Sequence, residues 1–366
     1  MRKALSLFVL SVFVLGMLAA CAPQEVVKTV EVVKTVVVEQ AGETVIITAT
    51  PAPEEAKVLS VYGIFATPSE EPWDRVIQDA LFEARDAGRI TYDFVDNLGH
   101  SGDLERVLQE TAEQKKPDII FGDAFGNEEA VRRVAAMYPE IAFVFGSGLG
   151  PSEPNLSVFD NWIHEPAYLC GMLAGGMTKS NTLGVVAAIP VSEVNRLVNA
   201  FTAGALEVNP KVTVLTTFIG GWFDPAKAKE AALAQIEQGA DVIYAERFGV
   251  HEAAKEKGVW MFGNMSDQNE LAPDLVISSP VWNMGPTVDY VLTAVAGGTY
   301  TAQDLKDFSM MAKGGASLAP FHGTESKLPA DLVAKVKERE KQILQGLFRV
   351  DIDERQPPER SQPLEK

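Results

Sequence analysis

Two cysteines and four histidines are all the soft metal-binding chemistry available to this chain of 366 residues. The histidines, His100, His164, His251 and His322, share no ligand spacing, and neither HExxH nor CxxC occurs. Zinc and dithiol chemistry are therefore excluded as organising principles, and no metal or cofactor is expected. Basic residues are also scarce, with 32 Lys and Arg against 50 Asp and Glu and a formal net charge of -18. That balance argues against nucleic acid, whose phosphates need clustered cations. No Gly-x-Ser-x-Gly elbow appears, and "GSGLGP" lacks the spacing of a phosphate-binding glycine loop. Acids are too common for a catalytic carboxylate pair to stand out. The chain is not expected to be an enzyme.

What is present is a folded composition, 46% apolar and 22% charged, in a chain too long for one ordinary core. The opening "MRKALSLFVLSVFVLGMLAAC" has a basic start, an apolar stretch and small residues before Cys21. It reads as a secretory signal over residues 1–21, too short to span a membrane, where about 20 apolar residues are needed. "LAAC" resembles the bacterial lipobox, in which the cysteine is acylated and anchors the mature protein to the membrane. With Cys21 so consumed, Cys170 is expected to be a small buried apolar residue. Residues 22–56, with "VVKTVEVVKTVVVE" and "TATPAPEEAK", read as a Val/Thr/Pro-rich tether without turn chemistry. A strand-forming oligomerisation device is the other reading.

From Lys57 short hydrophobic strands alternate with helical segments. "KVLSVYGI", "ITYDFV", "DIIFGD", "IAFVFG" and "LSVFDN" form one block. "NTLGVVAAI", "VTVLTTF", "ADVIYAE", "VWMFGN" and "LVISS" form a second. The alternation predicts parallel sheets covered by helices on both faces. The expected division is 57–160 plus 280–322 for lobe 1 and 161–279 for lobe 2. A charged helix and a disordered tail, "DERQPPERSQPLEK", fill 323–366.

Ligands in such sheets sit beyond the carboxyl ends of the strands. Trp73, Trp162, Trp222 and Trp282 fall in those loops, whereas Trp260 lies in core-like "VWMF". Asp123, Asn127, Asn161, Glu246, Arg247, Asn264 and Asp267 are the polar candidates beside them. Asp224, before Pro225, is read as a helix N-cap, and Glu193 as similar helix-start chemistry.

The order and spacing of "HEPAYLCGMLAGGMTKSNTLGVVAAI", "NAFTAGALEVNPKVTV", "WFDPAKAKEAALAQIEQGADVI" and "AAKEKGVWMFGNMSDQ" resemble the basic membrane protein family. These are substrate-binding lipoproteins of ABC transporters, similar to the purine nucleoside receptor. The resemblance implies a type I periplasmic-binding-protein clamshell, two doubly wound parallel-sheet lobes joined by a hinge. It implies an exported, lipid-anchored partner of an ABC permease that holds a purine nucleobase or nucleoside between aromatic rings. Trp73 and Trp222 match the family's aromatic positions, and Phe125 falls in the loop after the third strand. Where family members read "VDSDQ" this chain has "NMSDQ", with Met265 replacing a carboxylate, and Trp282 stands where a lysine is usual. Both changes suggest a free base rather than a nucleoside. The expected ligand-binding set is Trp73, Asp123, Phe125, Asn161, Trp162, Trp222, Glu246, Asn264, Asp267 and Trp282. A ligand-sensing lipoprotein and a surface nucleosidase are the rival readings.

Overall fold

The computed structural model describes residues 57–99 and 102–363, together with the backbone of 35–40 and 43–48. The signal segment, Cys21 and His100 lie outside the described residues. The chain divides into two compact units, 1–56 and 57–366.

In the first unit, β1 (Thr35–Gln40) and β2 (Glu43–Thr48) pair antiparallel, with Gln40 opposite Glu43. The sequence reading expects no strand pairing from turn chemistry here. The β-preference of the valines and isoleucines prevails, with Ala41 and Gly42 left between the strands.

The second unit carries two parallel sheets. In the first, β3 (Leu59–Ile64), β4 (Ile90–Val95), β5 (Ile119–Asp123), β6 (Ala142–Gly146) and β7 (Leu156–Phe159) lie in the order β4-β3-β5-β6-β7. The second holds β8 (Thr182–Ala187), β9 (Thr213–Phe218), β10 (Val242–Ala245) and β11 (Trp260–Phe262), ordered β11-β10-β8-β9. Helices α1 (Pro72–Asp86), α2 (Asp103–Glu110), α3 (Glu128–Met137), α4 (His164–Met177), α5 (Ser192–Val208), α6 (Pro225–Glu237) and α7 (Val250–Lys257) alternate with these strands. Strand order reverses between β3 and β5 and again between β8 and β10. Adjacent loops there leave the sheet in opposite directions and open a crevice.

One apolar cluster runs through both sheets, from Leu59 and Phe121 to Leu183 and Tyr244. Separate clusters lie under α2 and α3, and under α6 and α7. Helices α4 and α5 cross in backbone contact, which their glycines permit. A Cβ on Gly171 would strike the Phe201 carbonyl, and one on Gly204 the Tyr168 carbonyl. This packing fixes the first turn of α5, where Glu193 sits. Cys170 is buried there, as expected, and its thiol is pushed up by burial.

After the second sheet come β12 (Pro280–Trp282), α8 (Gly285–Ala296), β13 (Ala316–Leu318) and α9 (Ala330–Leu344). The strand expected over "LVISS" reduces to an isolated bridge between Val276 and Met261, and pairing begins at Pro280 instead.

The expectation of a disordered tail is corrected. Residues 353–363 lie along α5 and the open edge of β9. Asn199 Nδ2 donates to the Asp353 and Arg355 carbonyls, each at 2.8 Å, and Asn195 Nδ2 donates to the Glu354 carbonyl at 3.0 Å. Thr216 N reaches Glu359 O at 2.8 Å, and Ser361 N reaches Val214 O at 2.9 Å. The polar, proline-bearing segment satisfies a free strand edge rather than burying apolar surface. Ending the chain after Val350 should therefore lower the unfolding free energy by about 2 kcal/mol or more, since several buried backbone and amide groups lose their partners. A urea midpoint unchanged from that of the full chain would refute this docking.

Candidate functional site

The β3–β5 crevice opens on one small cavity, lined by Thr67, Glu71, Trp73, Asp74, Asp123, Phe125, Ser147, Glu193 and Trp222. Thr67 to Asp74 follow β3, Asp123 and Phe125 end β5, and Ser147 follows β6. From the second sheet come Glu193, after β8, and Trp222, after β9. The cavity thus lies at the β3–β5 reversal of the first sheet and beside β8 and β9 of the second, and its walls come from both halves.

Local chemistry explains each placement. Glu71 caps α1, its Oε2 accepting from Trp73 N at 2.8 Å and Asp74 N at 3.1 Å, and Pro72 opens the helix. Trp73 is thereby held at the first turn. Its ring stacks on Phe159 at 5.9 Å and meets Trp282 at 5.1 Å. Gly146 lies opposite Asp123 in the sheet, and a Cβ there would strike the Trp73 ring. Trp222 follows Gly220, whose φ of 78° favours glycine, and meets Phe125 edge-on at 4.7 Å.

The electrostatics are acidic. Arg247, after β10, donates to Glu71 Oε1 at 3.2 Å, to Glu246 Oε1 at 2.7 Å and to the Trp222 carbonyl at 3.1 Å. Its guanidinium lies 5.5 Å from the centre of the Trp222 ring. Burial raises Glu71, and Arg247 with the two backbone donors of the cap opposes that rise. Asp74 accepts from Thr67 Oγ1 and N through Oδ2, whereas its Oδ1 has no hydrogen-bond partner. Burial, then Asp123 and Glu71, push Asp74 well above the usual carboxylate range. Asp123 accepts from Phe125 N at 2.9 Å, and burial carries it to about 7. Glu193 accepts from Ser147 Oγ at 3.1 Å and is likewise raised, first by burial. Among the described residues lining the cavity, none is Lys, Arg or His.

A wider recess of ≈ 940 Å³ adjoins it through Phe125, Ser147 and Glu193. Trp162 lies in its wall between Arg196, 4.5 Å from the ring centre, and Lys306, at 5.6 Å. Arg196 is paired with Asp160 and, at 3.1 Å, with Glu354 of the tail.

Comparison with known proteins places this geometry. Residues 62–315 match the Bmp family, described as ABC transporter substrate-binding protein PnrA-like. The chain belongs to this family. A purine-binding protein of Brucella abortus is 29% identical over 302 residues, 81% of this chain and 83% of that one. A Haloferax volcanii protein with the provisional name of an ABC transporter glucose-binding protein is 38% identical over 193 residues, 51% of this chain and 49% of its own. The chain thus matches only about half of that relative. A solved ABC solute-binding protein of Aeropyrum pernix K1 superposes with a TM-score of 0.69 at 18% identity, covering 81% of this chain and 94% of that one. The fold is the type I periplasmic-binding fold, and the family's members are substrate-binding proteins of ABC transporters rather than enzymes. Such proteins work outside the cytoplasm. Among the described residues no helix is long and apolar enough to cross a membrane.

In this Bmp-family chain the structure brings Trp73, Asp123, Phe125 and Trp222 to one cavity, and Trp162 to the adjoining recess. The other candidates are corrected. Trp282 sits behind Trp73, its Nε1 donating to Ser309 Oγ at 3.0 Å, and plugs core rather than facing the cavity. Asn161 is fully buried between Met265 Sδ and Arg196. Asn264 joins Tyr244 Oη to the Glu246 carbonyl, and Glu246 itself serves Arg247 and Ala188 N. Asp267 is exposed and pairs with His322 at 2.6 Å. Met265 also lies off the cavity, buried against Asn161. Sequence reasoning missed Thr67, Glu71, Asp74 and Ser147, and took Glu193 for a helix start.

Asp123 gives a sign to the pH dependence. Between its ordinary value of 3.8 and about 7 the folded state holds a proton that the unfolded chain has released. Stability from this group is therefore greatest at the acidic end and falls as pH rises through that window. Glu71, Asp74 and Glu193, likewise raised chiefly by burial, add the same sense. The ligand-free protein should melt several degrees higher at pH 5.5 than at pH 8, and Asp123→Asn should shrink that difference. A melting profile flat in pH, or rising with it, would contradict the assignment.

Proposed function

We propose that this Bmp-family protein captures a purine base or nucleoside, held by aromatic stacking, and passes it to an ABC permease. The observation that carries the reading is that Trp73 and Trp222, from different sheets, line one small cavity with Phe125 beside them. Indole faces suit a flat uncharged ring, and base-on-aromatic stacking contributes roughly 1–3 kcal/mol per base. Carboxyl, hydroxyl and indole N–H groups around the rings supply edge recognition. The name of the Brucella abortus relative points the same way.

One observation favours a second reading, a monosaccharide. Acidic side chains accept from sugar hydroxyls as well as from ring N–H groups, and the Haloferax volcanii relative is provisionally named for glucose. The three cavity aromatics weigh toward the flat ring.

Delivery to a permease needs retention at the outer membrane surface. We assign that to acylation of Cys21, carried by the "LAAC" motif, since two or more acyl chains hold a protein durably.

Trp222→Ala should weaken adenine or adenosine binding at least about tenfold by titration calorimetry, with the melting temperature little changed, because the ring sits on a loop. Equal affinity in the variant would sink the stacking role. Cys21→Ser should move the expressed protein from the detergent phase to the aqueous phase on partition, and retention in detergent would refute the anchor.

A further inference from the structure

The cavity's polar lining is lopsided. Four of its nine residues are acids, Glu71, Asp74, Asp123 and Glu193, and two are hydroxyls, Thr67 and Ser147. Glu71 has both oxygens engaged, one by Arg247 and one by the cap of α1. The hydroxyls already donate, Thr67 to Asp74 and Ser147 to Glu193. Asp123 and Glu193 keep acceptor capacity, since a carboxylate offers about four lone-pair sites. Asp74, only 1% exposed, has an Oδ1 with no hydrogen-bond partner. Trp73 Nε1 is a buried donor without a partner, and the indole of Trp222 also faces the cavity.

Carboxyl acceptors around indole donors describe the complement of the ligand. It must bring N–H groups with an acceptor beside them, and it must carry no negative charge. An orphan carboxyl oxygen costs desolvation free energy that only an arriving donor recovers. Within the purine reading, on which this rests, amino-substituted rings meet that pattern. Their exocyclic NH2 donates twice, and a ring nitrogen accepts once. Oxo-substituted rings instead place a carbonyl oxygen against Asp123, which has released its proton at pH 8 and can only accept, and an ionised oxopurine adds a like charge.

We propose that this cavity selects a planar heterocycle through exocyclic amino groups on its edges, and discriminates against oxo-substituted and anionic counterparts. Asp74, Asp123 and Glu193 accept those amino donors, and Trp73 Nε1 meets a ring nitrogen.

Titration calorimetry of the purified full chain at pH 8 tests this with adenine, 2,6-diaminopurine, hypoxanthine and xanthine. A pair without the purine frame, 4-aminopyrimidine and 4-pyrimidinone, is included, and D-glucose is the control for hydroxyl donors. The two aminopurines should bind at least about tenfold more tightly than hypoxanthine, because a site built for a donor penalises an analogue that lacks it. Asp123→Asn, whose amide offers both a donor and an acceptor, should compress that ratio toward unity. Glu193→Gln serves the same purpose if the first variant folds poorly. Hypoxanthine or xanthine binding as tightly as adenine would overturn the inference and leave the purine reading standing. Binding of 4-aminopyrimidine over 4-pyrimidinone, with no purine bound, would support the inference and reject the purine reading. If glucose alone binds, or nothing does, both fall.

Discussion

The ion pair between Glu71 and Arg247 joins the two sheets at the cavity, with both side chains buried. Burying two charges costs several kcal/mol per ion unless every donor and lone pair finds a partner. Here they do. Arg247 engages Glu71, Glu246 and the Trp222 carbonyl, and Glu71 gives its other oxygen to the start of α1. One network therefore ties the first helix of one half to the strand ends and the tryptophan loop of the other. Loss of either partner would strand a charge in the interior and free both tryptophan-bearing segments together.

The two tryptophans are consequently unlike. Trp73 is seated in core, with Phe159 and Trp282 behind it and a glycine below it at 146. It is a fixed wall. Trp222 is half-buried on a glycine loop, in touch with the rest of the site through Phe125, Arg247 and its own carbonyl. A rigid face opposed by an adaptable one suits a receptor that must both select and release.

Legibility from sequence followed how local each cause is. "ITYDFV" became β4 and "EEAVRRVAAM" became α3, because period and flanking signals act within the segment. The strand alternation also located the carboxyl-end loops, hence Trp73, Asp123, Phe125 and Trp222. Trp282 failed because an aromatic at a strand end reads alike whether it faces a cavity or the back of another ring. Glu71 and Glu193 were read through, or past, as helix-start acids. They do stand at helix starts, and only the meeting of two sheets shows what else they face. The tail was misjudged on composition, which records missing apolar content but not the strand edge that the segment covers.

The buried acids pose the last problem. Asp74, Asp123 and Glu193 are all pushed toward the neutral form, chiefly by burial, although each would be more stable ionised in water. Packing for its own sake would replace them with apolar residues, which carry no such penalty. The orphan oxygen of Asp74 and the orphan indole N–H of Trp73 stand in the same first turn of α1, and both line the cavity. A molecule bringing the missing partners would recover that desolvation penalty. A receptor so arranged gains selectivity from its own unmet hydrogen bonds, since a ring with the wrong edge leaves them unmet.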